Sequence, residues 1–334
     1  MQHPITRRTL PLSVLDLVMV NTNGSPAQSM RNSLDLAQHA EKWGYERYWL
    51  AEHHNIKGIA STATSILIGF IAGGTSTIRV GSGGIMLPNH SPLIIAEQFG
   101  TLESLYPGRI ELGLGRAPGT DRFTAMALRR GKLEETEDEF PNSVKELMAY
   151  FAPDAINKMV RANPGEGLDI PIWLLGSSTF SAQLAAEWGL PFAFASHFAP
   201  AYLESAVNIY RERFQPSNYL NQPHVMAAVN IFAADTDKEA NHLFTSVQQM
   251  ALGMIRRNHS LLQSPVNNMD KIWDPLEKYA VGERLKYSFV GEPTTVKKSL
   301  ESFLNRIYVD ELMAVSHIYD HEARLRSFEL LSTL

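Results

Sequence analysis

The feature that most constrains the fold of this 334-residue chain is a regular alternation of short apolar runs with longer amphipathic ones. The apolar runs contain few polar residues, which is typical of parallel strands buried on both faces. The segments between them carry helix signals, such as Ser25 and Pro26 before a helical pattern and Gly44 after it. The alternation predicts eight strands, over residues 12–20, 47–51, 78–87, 109–115, 170–176, 191–196, 224–234 and 310–316.

Eight strands that alternate with helices predict an α/β fold, a (β/α)₈ TIM barrel with insertions in the βα loops. We expect one domain over residues 1–334, because no repeat or low-complexity linker divides the chain. Stretches near 116–169 and 235–293 fit the alternation poorly, so we predict insertions there. A doubly wound open sheet is the alternative, although it would usually need fewer strands or a clear second domain.

Composition excludes several classes of protein. The chain has no cysteine, which rules out disulfides, thiolate metal sites and thiol nucleophiles. Its net charge is −5 and its basic residues form scattered pairs without interleaved aromatic residues, so no nucleic-acid partner is expected. No apolar run reaches the roughly 18 residues that span a bilayer, and the N-terminal stretch lacks a secretory cleavage site. We therefore expect a cytoplasmic protein without membrane association.

Polar residues recur where the predicted strands end, which is where barrels of this kind carry their ligand-binding and catalytic groups. Any one of these residues is more often a cap or a core residue, but five of the 11 histidines fall at this rim. We predict a site formed by Glu52, His53, His54, Asn55, Ser82, Gly83, Gly84, His90, Gly115, Arg116, Ser177, Ser178, His197 and His317.

The segment "GSSTFSAQL" (176–184) indicates an anion site. A strand ends at a glycine, hydroxyl residues follow and a helix starts, so free backbone N–H groups and the helix dipole favour a negative charge. Ordinary N-capping explains one serine equally well. It leaves Arg116, at the neighbouring strand end, without a partner, whereas a phosphate bound by Arg116, Ser178 and Ser181 accounts for all three.

The glycines of "GSGG" (81–84) and "GLGRAPG" (113–119) indicate either a bend in the barrel or a flat ligand close to the backbone. Neither segment matches a dinucleotide fingerprint. A metal site is the competing interpretation of Glu52, His53 and His54. The segment is not H-E-x-x-H, and adjacent histidines in an extended chain point to opposite sides, so no metal is expected.

The chain resembles the bacterial luciferase-like flavin-dependent monooxygenases, in their non-luminescent single-subunit branch. Four segments carry the resemblance in the family's order and span nearly the whole chain: "YWLAEHHN", "IRVGSGGIMLPNHSPLIIAEQFGTLESLYPGRIELGLGRAPGTD", "IPIWLLGSSTFSAQLAAEWGLPFAFASHF" and "DELMAVSHIYDHEARLRSFELL". The resemblance implies a (β/α)₈ barrel that binds FMN at the carboxyl-terminal rim.

Carried over by position, the resemblance implies that His53 is catalytic and that Gly83 and Gly84 form a non-proline cis peptide against the isoalloxazine ring. Two positions depart from luciferase. Ser177 stands where luciferase has a glutamate, which is tolerable if the backbone binds at that point. Gly115 stands where luciferase has a reactive cysteine, so light emission is not expected. The cofactor-binding residues implied are Glu52, Ser82, Gly83, Gly84, Gly115, Arg116, Ser177, Ser178 and Ser181. The remaining rim residues are candidates for the substrate pocket: His54, Asn55, His90, His197 and His317.

The resemblance also implies the reaction and the partners. Reduced FMN, delivered by a separate NAD(P)H flavin reductase, would react with O₂ to a C4a-hydroperoxyflavin that oxygenates a small organic substrate, in a homodimeric enzyme. His53, with an ordinary pKa near 6.5, would pass a proton. Three alternatives stay open: hydride transfer with the deazaflavin F420, flavin binding without turnover and, more remotely, metal-dependent hydrolysis.

Overall fold

The structure, a computed structural model, describes residues 10–129, 139–153, 159–258 and 260–334. Within these residues the strands all run parallel to their neighbours in one sheet. They are β1 (Leu12–Asp16), β2 (Arg47–Leu50), β3 (Arg79–Met86), β4 (Ile110–Gly115), β5 (Ile172–Gly176), β6 (Phe192–Phe194), β7 (Val225–Ala233), β8 (Ser288–Gly291) and β9 (Glu311–Val315).

Eight of these strands close into a barrel. Strands β1 to β7 pair in sequence order, and β9 pairs with both β7 and β1 to complete the circle. The remaining strand, β8, pairs with Asn230 to Ala233 in the last part of β7. The predicted α/β class and (β/α)₈ barrel are therefore confirmed.

Helices follow the strands and cover the outside of the barrel. Several begin with the residues that the sequence indicated: the Ser25 hydroxyl accepts a hydrogen bond from the Gln28 N–H, and Pro26 is the first helical residue. The helices are α1 (Pro26–Lys42), α2 (Thr64–Gly73), α3 (Pro92–Leu105), α4 (Arg122–Leu128), α5 (Phe140–Phe151), α6 (Thr179–Trp188), α7 (Leu203–Arg213), α8 (Asp237–Ile255), α9 (Pro275–Arg284), α10 (Pro293–Arg306) and α11 (His321–Ser332). No helix in the described ranges is long and apolar enough to cross a membrane.

The core has two layers because each strand buries both faces. On β1, Val14 packs outward among the helices, while Leu15 packs inward with Trp49 of β2 and Trp173 of β5. The two tryptophan rings meet edge to face, with centroids 5.3 Å apart. A fully buried side chain of this type contributes about 1.5–3 kcal/mol, which explains why the strands appear in the sequence as continuous apolar runs.

Charged residues close the amino-terminal end of the barrel. Arg47 lies 3.5 Å from a Glu111 carboxylate oxygen and 3.1 Å from one of Glu311. Glu111 also accepts a hydrogen bond of 2.9 Å from the Trp49 indole, and Glu311 accepts one from the Ser13 hydroxyl. Nε and Nη1 of Arg47 make no well-directed hydrogen bond with a described residue, so this group is held by ion pairing.

A second paired cluster lies between β1 and the helices. The buried Asp16 carboxylate accepts hydrogen bonds from Ser33 at 2.6 Å, the Val18 N–H at 2.8 Å and Arg324 at 2.9 Å. Burial acts to raise the pKa of Asp16, but Arg324 and the hydrogen bonds outweigh it and lower that pKa to about 2. Asp16 is therefore ionised and fully paired.

Two details of the predicted elements are wrong. The first strand was predicted over residues 12–20 but ends at Asp16, since the chain turns at Val18, whose φ is 54°. The short strand β8 was not predicted, because its four residues, "SFVG", lie inside the stretch that fits the alternation poorly.

Candidate functional site

A pocket opens where the carboxyl-terminal ends of the barrel strands meet. Its empty volume, including the part open to solvent, is about 920 Å³, within the range of about 300–1,000 Å³ common for small-molecule sites. Its deepest part is the apolar interior of the barrel, formed by Leu15, Trp49, Leu175, Met226, Ala228 and Met313. This arrangement offers an organic ring system a dry, apolar surface.

Gly83 and Gly84 form part of the pocket wall, at the end of β3. They are joined by a cis peptide bond, as the resemblance implied. A Cβ on Gly83 would lie 2.6 Å from Leu15 Cδ1, and one on Gly84 would lie 2.7 Å from the Gly113 carbonyl oxygen. Only glycine fits at these two positions without displacing its neighbours, so the backbone itself forms the wall here.

Arg116, Ser177, Ser178 and Ser181 line one part of the same pocket, which we call the cationic corner. The Arg116 guanidinium lies over the Phe180 ring at 4.2 Å, and no carboxylate of the described residues pairs with it. Ser178 is the N-cap of α6, but its hydroxyl makes no capping hydrogen bond. A guanidinium, free hydroxyls and a helix N-terminus together form a site for an anionic group such as a phosphate.

His53 lines the pocket just after β2. Burial lowers its pKa below the ordinary 6.5, and interactions with the Gly119 backbone and Glu52 only partly offset this effect. The imidazole is therefore neutral at pH 7 and can accept a proton.

Glu52, His54 and His90 form a hydrogen-bonded cluster beside the pocket. One carboxylate oxygen of Glu52 accepts from His54 Nε2 at 2.7 Å and from His90 Nε2 at 2.8 Å, and the other accepts from the Met86 N–H at 3.0 Å. Burial acts to raise the pKa of Glu52, but these hydrogen bonds outweigh it and bring the pKa to about 2. The three side chains could also hold a metal ion by their spacing, yet the hydrogen bonds already satisfy them. The cluster holds the end of β3, through Met86, beside the residues after β2.

His197 and His317 are buried, and Nδ1 of each has no hydrogen-bond partner among the described residues. Burial lowers the pKa of His197 to about 3 and that of His317 to about 4. The Arg284 guanidinium, and His317 and His53 when they are protonated, lower the pKa of His197 further. Both imidazoles are neutral at physiological pH.

The structure brings most of the predicted site together. Ser82 is turned away from the pocket and donates to the Gly113 carbonyl at 2.9 Å, while Asn55 is exposed and donates to Asp121 at 2.9 Å. His317 borders a smaller neighbouring pocket. The predicted residues that line the main pocket are His53, Gly83, Gly84, Gly115, Arg116, Ser177, Ser178, Ser181 and His197; those outside its lining are Glu52, His54, Asn55, Ser82, His90 and His317.

The sequence analysis did not single out Trp49, Phe198 and Arg284. Trp49 and Phe198 line the pocket. The inward position of Trp49 could have been read from the alternation along β2, and Phe198 directly follows a predicted rim histidine. Arg284 has no comparable signal, because it reaches the pocket region from α9, far along the chain.

The fold and the pocket define a (β/α)₈-barrel protein with an apolar ligand site and a cationic corner at the carboxyl-terminal rim. A family model described as luciferase-like monooxygenase matches residues 11–310, and the chain belongs to that family.

Individual relatives agree with this assignment. The chain is 53% identical over 326 residues to a luciferase-like monooxygenase of Escherichia coli strain K12, which covers 98% of this chain and 97% of the relative. It is 35% identical over 235 residues to N-acetyl-S-alkylcysteine monooxygenase of Bacillus subtilis strain 168, over 69% of each chain. The crystal structure of apo-MsnO8 matches with a TM-score of 0.90 and 37% identity, over 97% of this chain and 98% of that chain.

Two more distant structures share the fold alone. The oxygenating constituent of 3,6-diketocamphane monooxygenase of Pseudomonas putida, in complex with FMN, has a TM-score of 0.70, 17% identity and coverage of 97% of this chain and 96% of that one. An F420-dependent secondary alcohol dehydrogenase has a TM-score of 0.65, 15% identity and coverage of 96% and 97%. The fold is thus found with both cofactors.

Proposed function

We propose that this protein is an FMN-dependent monooxygenase that uses reduced FMN and O₂ to oxygenate a small organic substrate in the cytoplasm. One observation carries the proposal: His53, Gly83, Gly84 and the cationic corner line the same pocket. Their chemistry matches the parts of FMN, with donors for a phosphate, bare backbone for a flat ring and an apolar interior that excludes water.

The cationic corner binds the phosphate of FMN in this proposal. Arg116 supplies the charge, while Ser177, Ser178 and Ser181 supply hydroxyl donors at the start of α6. The Phe180 ring holds the guanidinium from one side, so that Arg116 is oriented before the ligand arrives. The glycine wall at Gly83 and Gly84 then leaves room for the ring system beside Trp49.

His53 acts as the proton acceptor or carrier at the reacting end. When bound, reduced FMN supplies two electrons to O₂, so that one oxygen atom enters the substrate and the other leaves as water. The neutral His53 imidazole accepts a proton from the reacting groups and returns it to the departing oxygen. The Glu52 cluster acts indirectly, because it fixes the segment that carries His53 relative to the end of β3.

The partners follow from the same proposal. A separate NAD(P)H flavin reductase supplies reduced FMN. The chain forms a homodimer through α2, which exposes 72% of Ile66 and 42% of Phe70, since apolar side chains exposed on one helix are typical of a subunit interface. The name of the Bacillus subtilis relative makes thioethers of N-acetylcysteine the first substrates to test.

The experiment supplies chemically reduced FMN and O₂ to wild type and His53→Ala, and measures the oxygenation of N-acetyl-S-methyl-L-cysteine, a cyclic ketone and a long-chain aldehyde. We expect wild type to oxygenate at least one of them and His53→Ala to lower kcat by about 10²–10⁴-fold. The wild-type rate should fall on acidification only below pH 6.5, the ordinary pKa, because burial lowers the pKa of His53.

Three results would contradict parts of this proposal. If His53→Ala oxygenates its substrate at the wild-type rate, His53 is not the proton carrier. Hydride transfer with F420, without any reaction with FMN, would show that the cofactor is F420 and not FMN. Peroxide release that matches reduced FMN consumption, without product from any of the three probes, would indicate a flavin-binding protein without turnover.

A further inference from the structure

Two half-buried arginines differ in their partners from the other buried and half-buried arginines of the described chain. The buried and half-buried ones at positions 47, 79, 109, 129, 211 and 324 all contact a carboxylate, carbonyl or amide oxygen of the protein. Arg116 and Arg284 are half-buried without any oxygen acceptor among the described residues. The proposed function gives Arg116 the cofactor phosphate. Arg284 is left without an oxygen acceptor in the part of the chain that the structure describes.

The surroundings of Arg284 do not compensate for its burial. Its only hydrogen bond within the described ranges goes to the Met254 thioether, with Nη2 3.3 Å from the sulfur, and sulfur is a weak acceptor. Its guanidinium lies 6.0 Å from the centre of the Phe198 ring, at the outer limit of a cation–π contact. Burial of a cation without a strong acceptor is unfavourable, so an acceptor from outside the chain is expected.

Arg284 lies beside the part of the pocket that His197 and Phe198 line. Phe198, which its guanidinium approaches, and His197, whose pKa its charge lowers, both line the pocket. His53, the proposed catalytic histidine, lines the same pocket as His197 and Phe198. His197 and His317 are neutral at physiological pH because burial lowers the pKa of each. The guanidinium therefore brings a single positive charge to this wall.

We infer that Arg284 binds a carboxylate of the substrate at the wall formed by His197 and Phe198. This inference rests on the proposed function, since it treats the pocket as the site shared by flavin and substrate. A carboxylate matches the planar fork of a guanidinium with two parallel hydrogen bonds and one compensating charge. His53 lines the same pocket as His197 and Phe198, so a carboxylate held by Arg284 leaves the uncharged, oxidisable part of an acidic substrate inside the pocket that holds the reacting groups.

The test compares acids with their neutral amides. Oxidised FMN is first titrated into wild type, Arg284→Met, Arg284→Lys and Arg256→Met. The FMN-loaded proteins are then titrated with N-acetyl-S-methyl-L-cysteine, octanoate and benzoate and with the amide of each. Arg256→Met is the matched control, because Arg256 is an exposed arginine of the same region that is paired with Glu277 at 2.7 Å. Arg284→Lys keeps the charge but loses the fork.

We expect at least one acid to bind wild type at least about 10-fold more tightly than its amide, the range of a charge-assisted hydrogen bond. Arg284→Met should abolish this preference, Arg284→Lys should keep part of it, and Arg256→Met should keep it whole. The FMN affinity should be the same in all four proteins. An acid preference that persists in Arg284→Met, or equal binding of every acid and its amide in wild type, would overturn the inference while leaving the flavin proposal intact. If wild type does not bind FMN, the proposed function is overturned instead.

Discussion

The arginines at the two ends of the barrel differ in whether a carboxylate of the protein pairs with them. At the amino-terminal end, Arg47 lies between Glu111 and Glu311, and both carboxylates have further donors from the protein. At the carboxyl-terminal rim, Arg116 and Arg284 have no carboxylate among the described residues. Arg47, which stabilises the fold, is thus paired with carboxylates of the protein, whereas the two arginines around the pocket are not. The difference indicates that the rim is arranged for ligands that bring negative charge.

The largest effect should come from breaking the paired end. Arg47→Met removes the buried cation between Glu111 and Glu311, and leaves Glu111 with the half-buried Arg79 at 3.6 Å and Glu311 with His224 at 3.3 Å. We expect it to lower the free energy of unfolding by about 3–5 kcal/mol. Arg116→Met should change the free energy of unfolding by less than about 1 kcal/mol, because no carboxylate in the described ranges loses a partner. Denaturant unfolding of both variants measures the difference.

A matched control separates charge from packing. Glu111→Gln and Glu311→Gln, added to Arg47→Met, remove the uncompensated charges and should recover part of the lost stability. Equal destabilisation by Arg47→Met and Arg116→Met would mean that the two ends do not differ in the way described.

A smaller effect should appear on acidification, from the neutral histidines at the rim. In the unfolded chain His197 and His317 bind a proton near pH 6.5, whereas burial lowers the folded pKa values to about 3 and about 4. Between pH 6.5 and pH 4 the unfolded state therefore binds more protons, and stability falls as pH falls. Each histidine should contribute a slope of about 1.4 kcal/mol per pH unit.

Denaturant unfolding between pH 7.5 and pH 5 measures that slope, in a window above the titration of Glu52, whose pKa is about 2. His197→Gln should reduce the slope by the contribution of one histidine, about 1.4 kcal/mol per pH unit. An unchanged slope in this variant would show that His197 is not held neutral in the folded protein.

The fold was largely predictable because its signal is local. Strands buried on both faces and helices between them leave an apolar pattern in each segment, which explains why the barrel was found and only the short strand β8 was missed. The end of β1 was not predictable from the apolar pattern, because the pattern continues to Val20 although the chain turns at Val18.

The site was predictable in part for a geometric reason. Arg116 and Ser178 follow β4 and β5, which are neighbours in the barrel, so adjacent strand ends place them together. The Glu52–His90 contact joins residues 38 positions apart in sequence, and Arg284 reaches the pocket region from a helix with no strand-end signal. Such placements depend on loop paths that no local pattern encodes.

The most direct test of the central claim is a titration of FMN and of riboflavin, which lacks the phosphate, into wild type and Arg116→Met. If the unpaired cation at the rim is arranged for the phosphate, wild type binds FMN more tightly than riboflavin. Arg116→Met then weakens FMN binding by about 10–100-fold and leaves riboflavin binding unchanged. Equal affinity of wild type for the two flavins, or an unaltered FMN affinity in Arg116→Met, would contradict the account.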